Sequence, residues 1–311
     1  MIVLDKEKEE IPRYIETITD EIKAALSVQH VVLNQSRRIL DDLNFIEVLA
    51  PVIKPSRDPF DRRSGRVSND YYGAPNWLTS NMLIYKQALI RTFDRVYTLS
   101  PNIRLEPLSK TSTSSHLCEL YQLDLEMREK TIYDVMRKTE VFLERLFQNV
   151  KLINARILEQ LEREFNVPTT PFPRMTYSKL FEVAASLDYP LIYGETVPLE
   201  VEEELSKQAK KPFWIVDYPV GSRGFYYRED PNKPGNLLSM NLIYPEGFGE
   251  ASSGGEREIK VNKIIEHLKL SGKNISEYKW YLDMMENDGK RSAGLGIGIE
   301  RLIRYILGFS V

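Results

Sequence analysis

The stretch that decides the fold is Ser292-Ala293-Gly294-Leu295-Gly296-Ile297-Gly298-Ile299-Glu300-Arg301, in which glycine alternates with larger residues. This alternation predicts a β-strand with one bare face, which a flat aromatic ring can approach closely. The apolar run from Leu302 to Leu307 predicts a helix directly after the strand. Arg301 stands at the junction, where its guanidinium can cover such a ring. A glycine-rich strand packed closely under another element fits the same pattern, so this stretch alone leaves both interpretations open.

A second stretch, far upstream, combines an arginine with a row of alternating polar residues. Arg104 precedes a polar loop, and the loop leads into His116-Leu117-Cys118-Glu119-Leu120-Tyr121-Gln122-Leu123-Asp124-Leu125-Glu126-Met127. The period of two places apolar side chains on one face and Gln122, Asp124 and Glu126 on the other, as in a half-buried antiparallel strand. A solvated outer face is the alternative interpretation of this polar row.

Together the two stretches resemble motifs 2 and 3 of the class II aminoacyl-tRNA synthetases. An amphipathic helix predicted over residues 19–43, followed by Phe45-Ile46-Glu47-Val48-Leu49-Ala50-Pro51, resembles motif 1. Within the class, the chain is most similar to the aspartyl and asparaginyl branch, through residues 116–127, 172–177, 249–257 and 280–283. The resemblance implies an α+β fold, with an antiparallel β-sheet flanked by helices.

The middle of the chain favours the same fold class. We predict helices over residues 131–165 and 176–187, and then strands over 213–217, 224–227 and 238–243. Helices and strands are segregated, which indicates α+β and not a repeating βα order. Neither a GxxxxGK[ST] loop nor a dinucleotide-binding fingerprint occurs in the sequence. The charged run 198–211 is interpreted as a solvated helix on an insertion.

Length and composition predict one domain. With 311 residues and 42% hydrophobic residues, the chain can bury a sizeable core. We expect a single catalytic domain over residues 1–311, with residues 1–18 as an N-terminal extension and without the anticodon-binding domain of the family. One cysteine excludes an internal disulfide framework, and no signal-peptide or membrane-spanning pattern is present. We therefore expect a cytoplasmic protein without a membrane partner.

The charge balance gives no basic footprint for nucleic acid. The chain has 42 Lys+Arg against 45 Asp+Glu, a formal net charge of −3. On this ground we expect that tRNA is not a partner, although a local basic stripe is compatible with the same total.

The resemblance implies a site for ATP and Mg²⁺. Arg104 would bind the α-phosphate and stabilise the charge that develops there, while Arg301 would cover the adenine. Leu120 replaces an aromatic residue of the family, and Asn241 replaces an aspartate at a metal position, which removes one negative charge. A carboxylate and a hydroxyl remain for the metal, on Glu250 and Ser253. The full set that the resemblance assigns to ATP and Mg²⁺ is Arg104, Glu106, His116, Leu120, Glu250, Ser253, Gly298 and Arg301.

The resemblance also implies an amino-acid pocket. Arg257 matches the arginine that reads the side chain of aspartate or asparagine, and Asp124 matches the carboxylate that receives the substrate ammonium. Gln122 and Ser80 complete the substrate-binding set, but Ser80 and Leu83 replace two glutamines of the family. Because fully paired polar groups determine specificity in such pockets, we expect a changed substrate orientation.

This changed pocket favours an ammonia-dependent asparagine synthetase. Archaeal paralogues of asparaginyl-tRNA synthetase without the anticodon-binding domain carry out that reaction, in which aspartate, ATP and ammonia give asparagine, AMP and pyrophosphate through a β-aspartyl adenylate. Arg104 would act on the phosphate, and Glu119 or Asp124 would take the proton from ammonium. The resemblance implies a homodimer through motif 1.

Two alternatives remain at the level of sequence. A truncated aspartyl or asparaginyl ligase would transfer the activated amino acid to tRNA or to another acceptor. A non-catalytic sensor would bind an amino acid or an adenylate, an interpretation that Leu120, Asn241 and Ser80 motivate.

Overall fold

A central mixed sheet organises the molecule. The structure, a computed structural model, describes residues 19–55, 58–59, 67–105, 117–186, 189, 191–195 and 197–309. The strands are β1 (Ile46–Glu47), β2 (Ile53–Lys54), β3 (Ser68–Tyr71), β4 (Ala74–Leu78), β5 (Arg95–Ile103), β6 (Glu119–Arg128), β7 (Arg174–Thr176), β8 (Phe213–Pro219), β9 (Asn236–Tyr244), β10 (Gly249–Glu256) and β11 (Ser292–Gly298). Eight of them form the main sheet in the order β1-β5-β6-β11-β10-β9-β8-β7, and β2-β4-β3 form a small second sheet.

The main sheet is antiparallel except at its two ends. The pairs β1/β5 and β7/β8 are parallel, and the other neighbours in the main sheet are antiparallel. The described helices are α1 (Asp20–Asp42), α2 (Leu83–Leu89), α3 (Ile132–Ile153), α4 (Ala155–Gln160), α5 (Tyr177–Ser186), α6 (Leu199–Lys207), α7 (Val261–Leu270), α8 (Lys279–Asp288) and α9 (Ile299–Leu307), with a short 3₁₀ helix at Ile275–Tyr278. This is the expected α+β class, and the expectation is confirmed.

Two long helices cover one face of the sheet. Helix α1 begins where the Thr19 hydroxyl accepts a hydrogen bond from the Ile22 amide at 3.2 Å. Helix α3 begins with a capping box between Thr131 and Asp134. Their buried side chains recur every three or four residues and pack together with the inner faces of β6, β9 and β11, so the helices complete the largest apolar core.

Three predictions about local structure require correction. The helix expected over 131–165 is interrupted at Asn154, which closes α3 and opens α4. The expected strand 224–227 forms only an isolated bridge between Tyr227 and Arg257. The charged run 198–211 is not solvated on all sides: in α6, Val201, Glu202 and Leu205 are 2%, 4% and 7% exposed. Because charged residues on its outer face alternate with the apolar ones in the sequence, the sequence analysis did not predict the apolar side with which α6 packs on β10.

The register of the central strands brings distant polar residues together. Asp124 on β6 pairs with Gly296 on β11, and Glu126 pairs with Gly294. Two strands away, Asn241 on β9 pairs with Ser253 on β10. The candidate site therefore lies on the middle strands of the main sheet. In the part of the chain that the structure describes, no helix has both the length and the apolarity needed to cross a membrane.

Candidate functional site

A buried ion pair forms one end of the site. The Arg257 guanidinium donates two parallel hydrogen bonds to the Glu126 carboxylate, with Nε to Oε1 and Nη2 to Oε2 both at 2.9 Å. Both side chains are at most 1% exposed, and the Ser292 hydroxyl donates to Glu126 Oε1 at 2.8 Å. The remaining nitrogen, Arg257 Nη1, has no hydrogen-bond partner among the described residues. Arg257 therefore presents one buried donor that the described part of the protein does not satisfy.

The environment keeps Glu126 ionised. Burial by itself would raise the pKa of the Glu126 carboxyl, but the charges of Arg257 and Lys86 and the hydrogen bonds from Arg257 and Ser292 outweigh burial. The pKa of Glu126 is consequently lower than its ordinary value of 4.5.

Lys86 is a site residue that the sequence analysis missed. Its Nζ donates to Asp124 Oδ1 at 2.7 Å and to the carbonyls of Leu295 and Leu125 at 3.1 and 3.3 Å, and it lies 3.7 Å from Glu126 Oε2. Lys86 is 2% exposed. A lysine inside the apolar run of α2 was the available signal, because lysine is rarely buried without a partner. Its three donors are used within the protein, so Lys86 holds Asp124 in place and adds positive charge.

The bare face of β11 accommodates these carboxylates. A Cβ atom added to Gly294 would lie 2.1 Å from Glu126 Oε2, and one added to Gly296 would lie 3.0 Å from Asp124 Oδ1. Only Gly298, of the three alternating glycines, lies beside Arg301, whose side-chain carbons are 3.7–3.8 Å from the added Cβ. The predicted shelf for a flat ring is thus limited to the Gly298 end, and close packing explains the other two glycines.

Polar residues on β5 and β6 continue the pocket from Asp124. The Ser100 hydroxyl donates to Asp124 Oδ2 at 3.2 Å, and the Asn102 amide donates to Gln122 Oε1. Ser100 and Asn102 are fully buried. Arg104 Nη2 lies 3.4 Å from the same Gln122 oxygen, so the row leads directly to the arginine expected at the phosphate. The structure brings Gln122, Asp124 and Arg104 together as one continuous surface.

Ser80 contributes through its main chain. Its carbonyl accepts from Arg104 Nε and Nη2, each at 3.3 Å, whereas its amide and hydroxyl both donate to Asp58 Oδ2, at 2.8 and 3.2 Å. Lys54, which is also buried, forms an ion pair with Asp58 and donates to the Asn81 carbonyl at 2.8 Å. The Lys54–Asp58 pair therefore fixes the Ser80 segment and, through it, the direction of Arg104.

Carboxylate, amide and hydroxyl groups meet at the other end of the site. The Asn241 Nδ2 donates to Glu250 Oε2 and to Glu202 Oε1, both at 3.3 Å. Ser253 Oγ accepts from Arg223 Nη1 at 3.4 Å. Burial, together with the negative charge of Glu250, raises the pKa of Glu202 to about 8. Glu202 was not expected at the site, because its helix had been interpreted as a solvated insertion.

These residues fit a hard divalent cation. Carboxylate, hydroxyl and amide oxygens are the donors that Mg²⁺ takes, and Asn241 Oδ1 is buried without a partner among the described residues. In the described part of the chain, no group of three or more His, Cys, Asp or Glu could hold a metal ion. Glu250 and Ser253 would therefore bind Mg²⁺ with the help of a neutral oxygen donor.

Arg301 is hydrogen-bonded to Glu250 at this end of the site. Its Nη1 donates to the Glu250 main-chain carbonyl at 3.1 Å and to Glu250 Oε1 at 3.2 Å. Leu120, partly buried on β6, pairs with Asn102 across the strands. Arg301 and Gly298 are thus adjacent to the candidate metal residues, and a nucleotide bound there would contact both.

Glu119 does not join the polar row. It is exposed at the start of β6, and its charge acts on Glu300 at the beginning of α9. Alternation along β6 turns Glu119 to the face opposite Asp124. The expected roles of Glu106 and His116 concern positions outside the described residues.

Comparisons with known proteins agree on one family. Residues 5–310 match the family described as tRNA synthetases class II (D, K and N). The asparagine–tRNA ligase of Pyrococcus abyssi is 26% identical over 298 residues, which are 95% of this chain and 68% of the relative. The asparagine–tRNA ligase of Pelotomaculum thermopropionicum is 28% identical over 303 residues.

Solved structures agree with the sequence matches. The crystal structure of asparaginyl-tRNA synthetase from Pyrococcus horikoshii, complexed with asparaginyl-adenylate, superposes with a TM-score of 0.88 and 25% identity. The match covers 96% of this chain and 68% of that one. The asparaginyl-tRNA synthetase of Entamoeba histolytica, with a TM-score of 0.85 and 23% identity, shares the fold.

The expectation that tRNA is not a partner is wrong. It rested on net charge, but relatives that match 95% of this chain are asparagine–tRNA ligases. Net charge averages over a whole surface, whereas nucleic acid responds to the local potential, so a total of −3 does not exclude tRNA. By its motifs, its fold and the match over residues 5–310, the chain belongs to the class II tRNA synthetases of the D, K and N group.

Proposed function

We propose that this protein activates aspartate with ATP and transfers the aspartyl group to ammonia, forming asparagine, AMP and pyrophosphate. The coarser chemistry, an ATP-dependent ligase related to the aminoacyl-tRNA synthetases, comes with the family. The choice of substrate and of acceptor is argued below from the pocket.

The observation that carries the proposal is Arg257 Nη1, which has no hydrogen-bond partner among the described residues. A buried N–H without an acceptor is costly, by about 1–3 kcal/mol, unless a ligand supplies one. Arg257 is already fixed by its two bonds to Glu126, so Nη1 is aimed at one position. An oxygen of a substrate carboxylate is the ligand that best suits a guanidinium there.

The surroundings favour a carboxylate over an amide at this position. An amide group of asparagine would bring two N–H donors as well as an oxygen, and the donors would need acceptors. Glu126 already accepts from Arg257 and Ser292, and Lys86 is close to its other oxygen. The second positive charge, on Lys86, further stabilises an anion. Aspartate, with a carboxylate at each end, therefore suits a pocket with Arg257 at one end and Arg104 at the other.

The polar row between these arginines suggests where ammonia binds. Ser80 and Leu83 offer no side-chain amide to a substrate amino group, since the Ser80 hydroxyl is directed to Asp58. If the α-carboxylate of aspartate binds Arg257, its β-carboxylate faces Arg104 and its amino group lies away from Asp124. Ser100, Asn102 and Asp124 then line a small buried subsite beside the reacting carbon, with oxygen atoms suited to ammonium.

The chemistry proceeds in two steps. A β-carboxylate oxygen attacks the α-phosphorus of ATP, the bond to pyrophosphate breaks, and Arg104 stabilises the charge on the phosphoryl oxygens. Ammonium then gives a proton to Asp124, ammonia attacks the acyl carbon, and the carbon–oxygen bond to AMP breaks. The nitrogen releases a second proton to water as the amide forms. Mg²⁺, held by Glu250 and Ser253, would offset the charge of the ATP phosphates.

A second candidate changes the acceptor and, with it, the carboxylate that is activated. The relatives named asparagine–tRNA ligase favour transfer of the activated amino acid to the end of a tRNA. The first candidate activates the β-carboxylate and the second the α-carboxylate, so the product formed distinguishes them.

The deciding experiment supplies both acceptors separately. The purified chain is incubated with aspartate, ATP and Mg²⁺, and with ammonium, with tRNA or with neither, and asparagine, AMP and aminoacyl-tRNA are quantified. We expect asparagine in equal amount to AMP with ammonium alone. Aspartate-dependent pyrophosphate exchange without asparagine, together with charged tRNA, would replace the proposal by the second candidate.

A matched pair of variants tests the pocket. Arg257→Lys keeps a positive charge beside Glu126 but removes the directed Nη1 donor, so kcat/KM for aspartate should fall by about 100-fold or more. Arg228→Lys is the control, because Arg228 forms a partly exposed ion pair with Glu256. Equal activity of both variants would contradict the role of Arg257.

A further inference from the structure

Glu202 is a buried carboxylate with few hydrogen-bond partners among the described residues. It is 4% exposed, and the hydrogen bond that it receives from the described residues comes from Asn241 Nδ2 at 3.3 Å. The apolar residues Val201 and Leu205 fix α6 against the sheet, so Glu202 cannot turn to solvent without moving the helix. In its ionised form, a buried carboxylate held by one long hydrogen bond is costly unless a cation compensates it.

Asn241 provides a second, independent observation. Its Nδ2 lies between Glu202 Oε1 and Glu250 Oε2, while its Oδ1 is buried and has no partner among the described residues. Asn241 is 1% exposed. A half turn of the amide would place Oδ1 between the two carboxylates, where an oxygen is unfavourable without a cation and is a natural ligand with one.

The neighbouring cations do not fill this position. Arg301 donates to Glu250 Oε1 and to the Glu250 main-chain carbonyl, whereas Glu250 Oε2 accepts from Asn241. Arg223 donates to the Ser253 hydroxyl and lies with its guanidinium carbon 3.7 Å from the centre of the Tyr218 ring. The two carboxylate oxygens that face Asn241 therefore share a neutral amide as their hydrogen-bond partner.

We propose that Glu202 supplies, from helix α6, a second carboxylate ligand for a divalent cation that Glu250, Ser253 and Asn241 also bind. The oxygen donors and the absence of His and Cys from this group indicate a hard cation such as Mg²⁺ or Mn²⁺. Glu202 would restore from another element the charge that an asparagine at position 241 does not provide. The inference rests on the proposed function for its role, since the cation would accompany ATP.

Direct metal binding tests the inference without turnover. Mn²⁺ alone is titrated into the full chain, with no ATP, aspartate or ammonium, and free Mn²⁺ is measured by electron paramagnetic resonance. We expect that Glu202→Gln weakens Mn²⁺ binding by about 10-fold or more, on the scale of lost ligands and their partners. Glu204→Gln, on the same helix but paired with Lys207 at the surface, should bind Mn²⁺ as the wild type does.

A rescue variant separates ligation from folding. Asn241→Asp in the Glu202→Gln background returns one carboxylate to the same group of side chains and should restore most of the lost affinity. Thermal unfolding without metal checks that each variant is folded. Wild-type affinity in Glu202→Gln, or no saturable Mn²⁺ binding by the wild type, would overturn the inference. Because the assay contains no amino acid and no acceptor, failure of asparagine synthesis would leave this result unaffected.

Discussion

At the scale of single residues, buried charges in compensating arrangements define the site. Lys86, Asp124, Glu126 and Arg257 are each at most 5% exposed, and every one is bonded to at least one of the others. Removing one member of such a set leaves an uncompensated charge in a medium of low polarity, which costs about 3–5 kcal/mol. The set therefore fixes the geometry of the pocket and makes the fold sensitive to pH.

Glu126 gives a prediction about acid stability. Its pKa is lowered in the folded state, so its contribution is fully present above the unfolded value of 4.5 and is lost as the pH falls toward the folded value. Wild-type stability should therefore decrease steeply below pH 4.5, whereas Glu126→Gln should be less stable at pH 7 by about 3–5 kcal/mol and lose less on acidification. Urea unfolding at several pH values measures this. The control is Glu286→Gln, an exposed position, and equal pH profiles for Glu126→Gln and wild type would contradict the prediction.

At the scale of elements, β11 positions site residues on two neighbouring elements, β6 and α9. Its glycines leave space for the side chains of β6 on one side, and its end leads into α9, where Arg301 lies over Glu250. Helix α6 has the corresponding role on the other side of the site, where it places Glu202 beside β9. The site thus depends on close approach of backbones at β11 and on an inserted helix at β9.

Two glycine substitutions on β11 should differ sharply in stability. In Gly294→Ala, the added Cβ would lie 2.1 Å from both Glu126 Oε2 and the Leu125 carbonyl, so the strands must separate. We expect a loss of about 1–3 kcal/mol or more. In Gly298→Ala, the nearest atom is 3.7 Å away, and a change within about 1 kcal/mol is expected. Chemical denaturation compares the two, and a Gly294→Ala protein as stable as wild type would be inconsistent with the packing described.

At the scale of the whole molecule, an apolar edge is exposed near β1. Ile46, Leu49, Val52 and Ile53 are 45%, 88%, 48% and 46% exposed. Among the described residues, β1 is also the last strand on its side of the main sheet, so no strand described there pairs with its outer hydrogen-bonding groups. Contiguous exposed apolar residues beside a sheet edge are typical of a protein–protein interface.

We predict a homodimer through this edge. Sedimentation of the wild type should give the mass of two chains, and Leu49→Glu should shift the protein toward one chain because it places a charge in the interface. Leu152→Glu is a matched control, since Leu152 is 78% exposed at the end of α3. A monomeric wild type, or a dimer that both substitutions leave unchanged, would rule out this interface.

Much of the fold follows from short-range patterns in the sequence. Three patterns depend only on neighbours within a few positions: the period of two in β6, the alternating glycines of β11 and the helical period of α1. They can therefore be recognised without the structure. The same is true of Arg104, Asp124, Arg257 and Arg301, whose motifs carry the resemblance. The local patterns did not predict the buried side of α6, because charged residues dominate its sequence.

Only the tertiary structure determines which charged side chains pair with one another. Lys86 lies 38 positions from Asp124, and Glu126 lies 131 positions from Arg257, so their pairing depends on the strand order. It also showed that Gly294 and Gly296 accommodate carboxylates, and that Glu202 lies beside Asn241. Periodicity specifies which face a residue occupies, but burial and charge pairing depend on what packs against that face. The sequence by itself therefore determined the family and the fold class and proposed the candidate site residues, while the register and packing of the sheet determined how those residues are held.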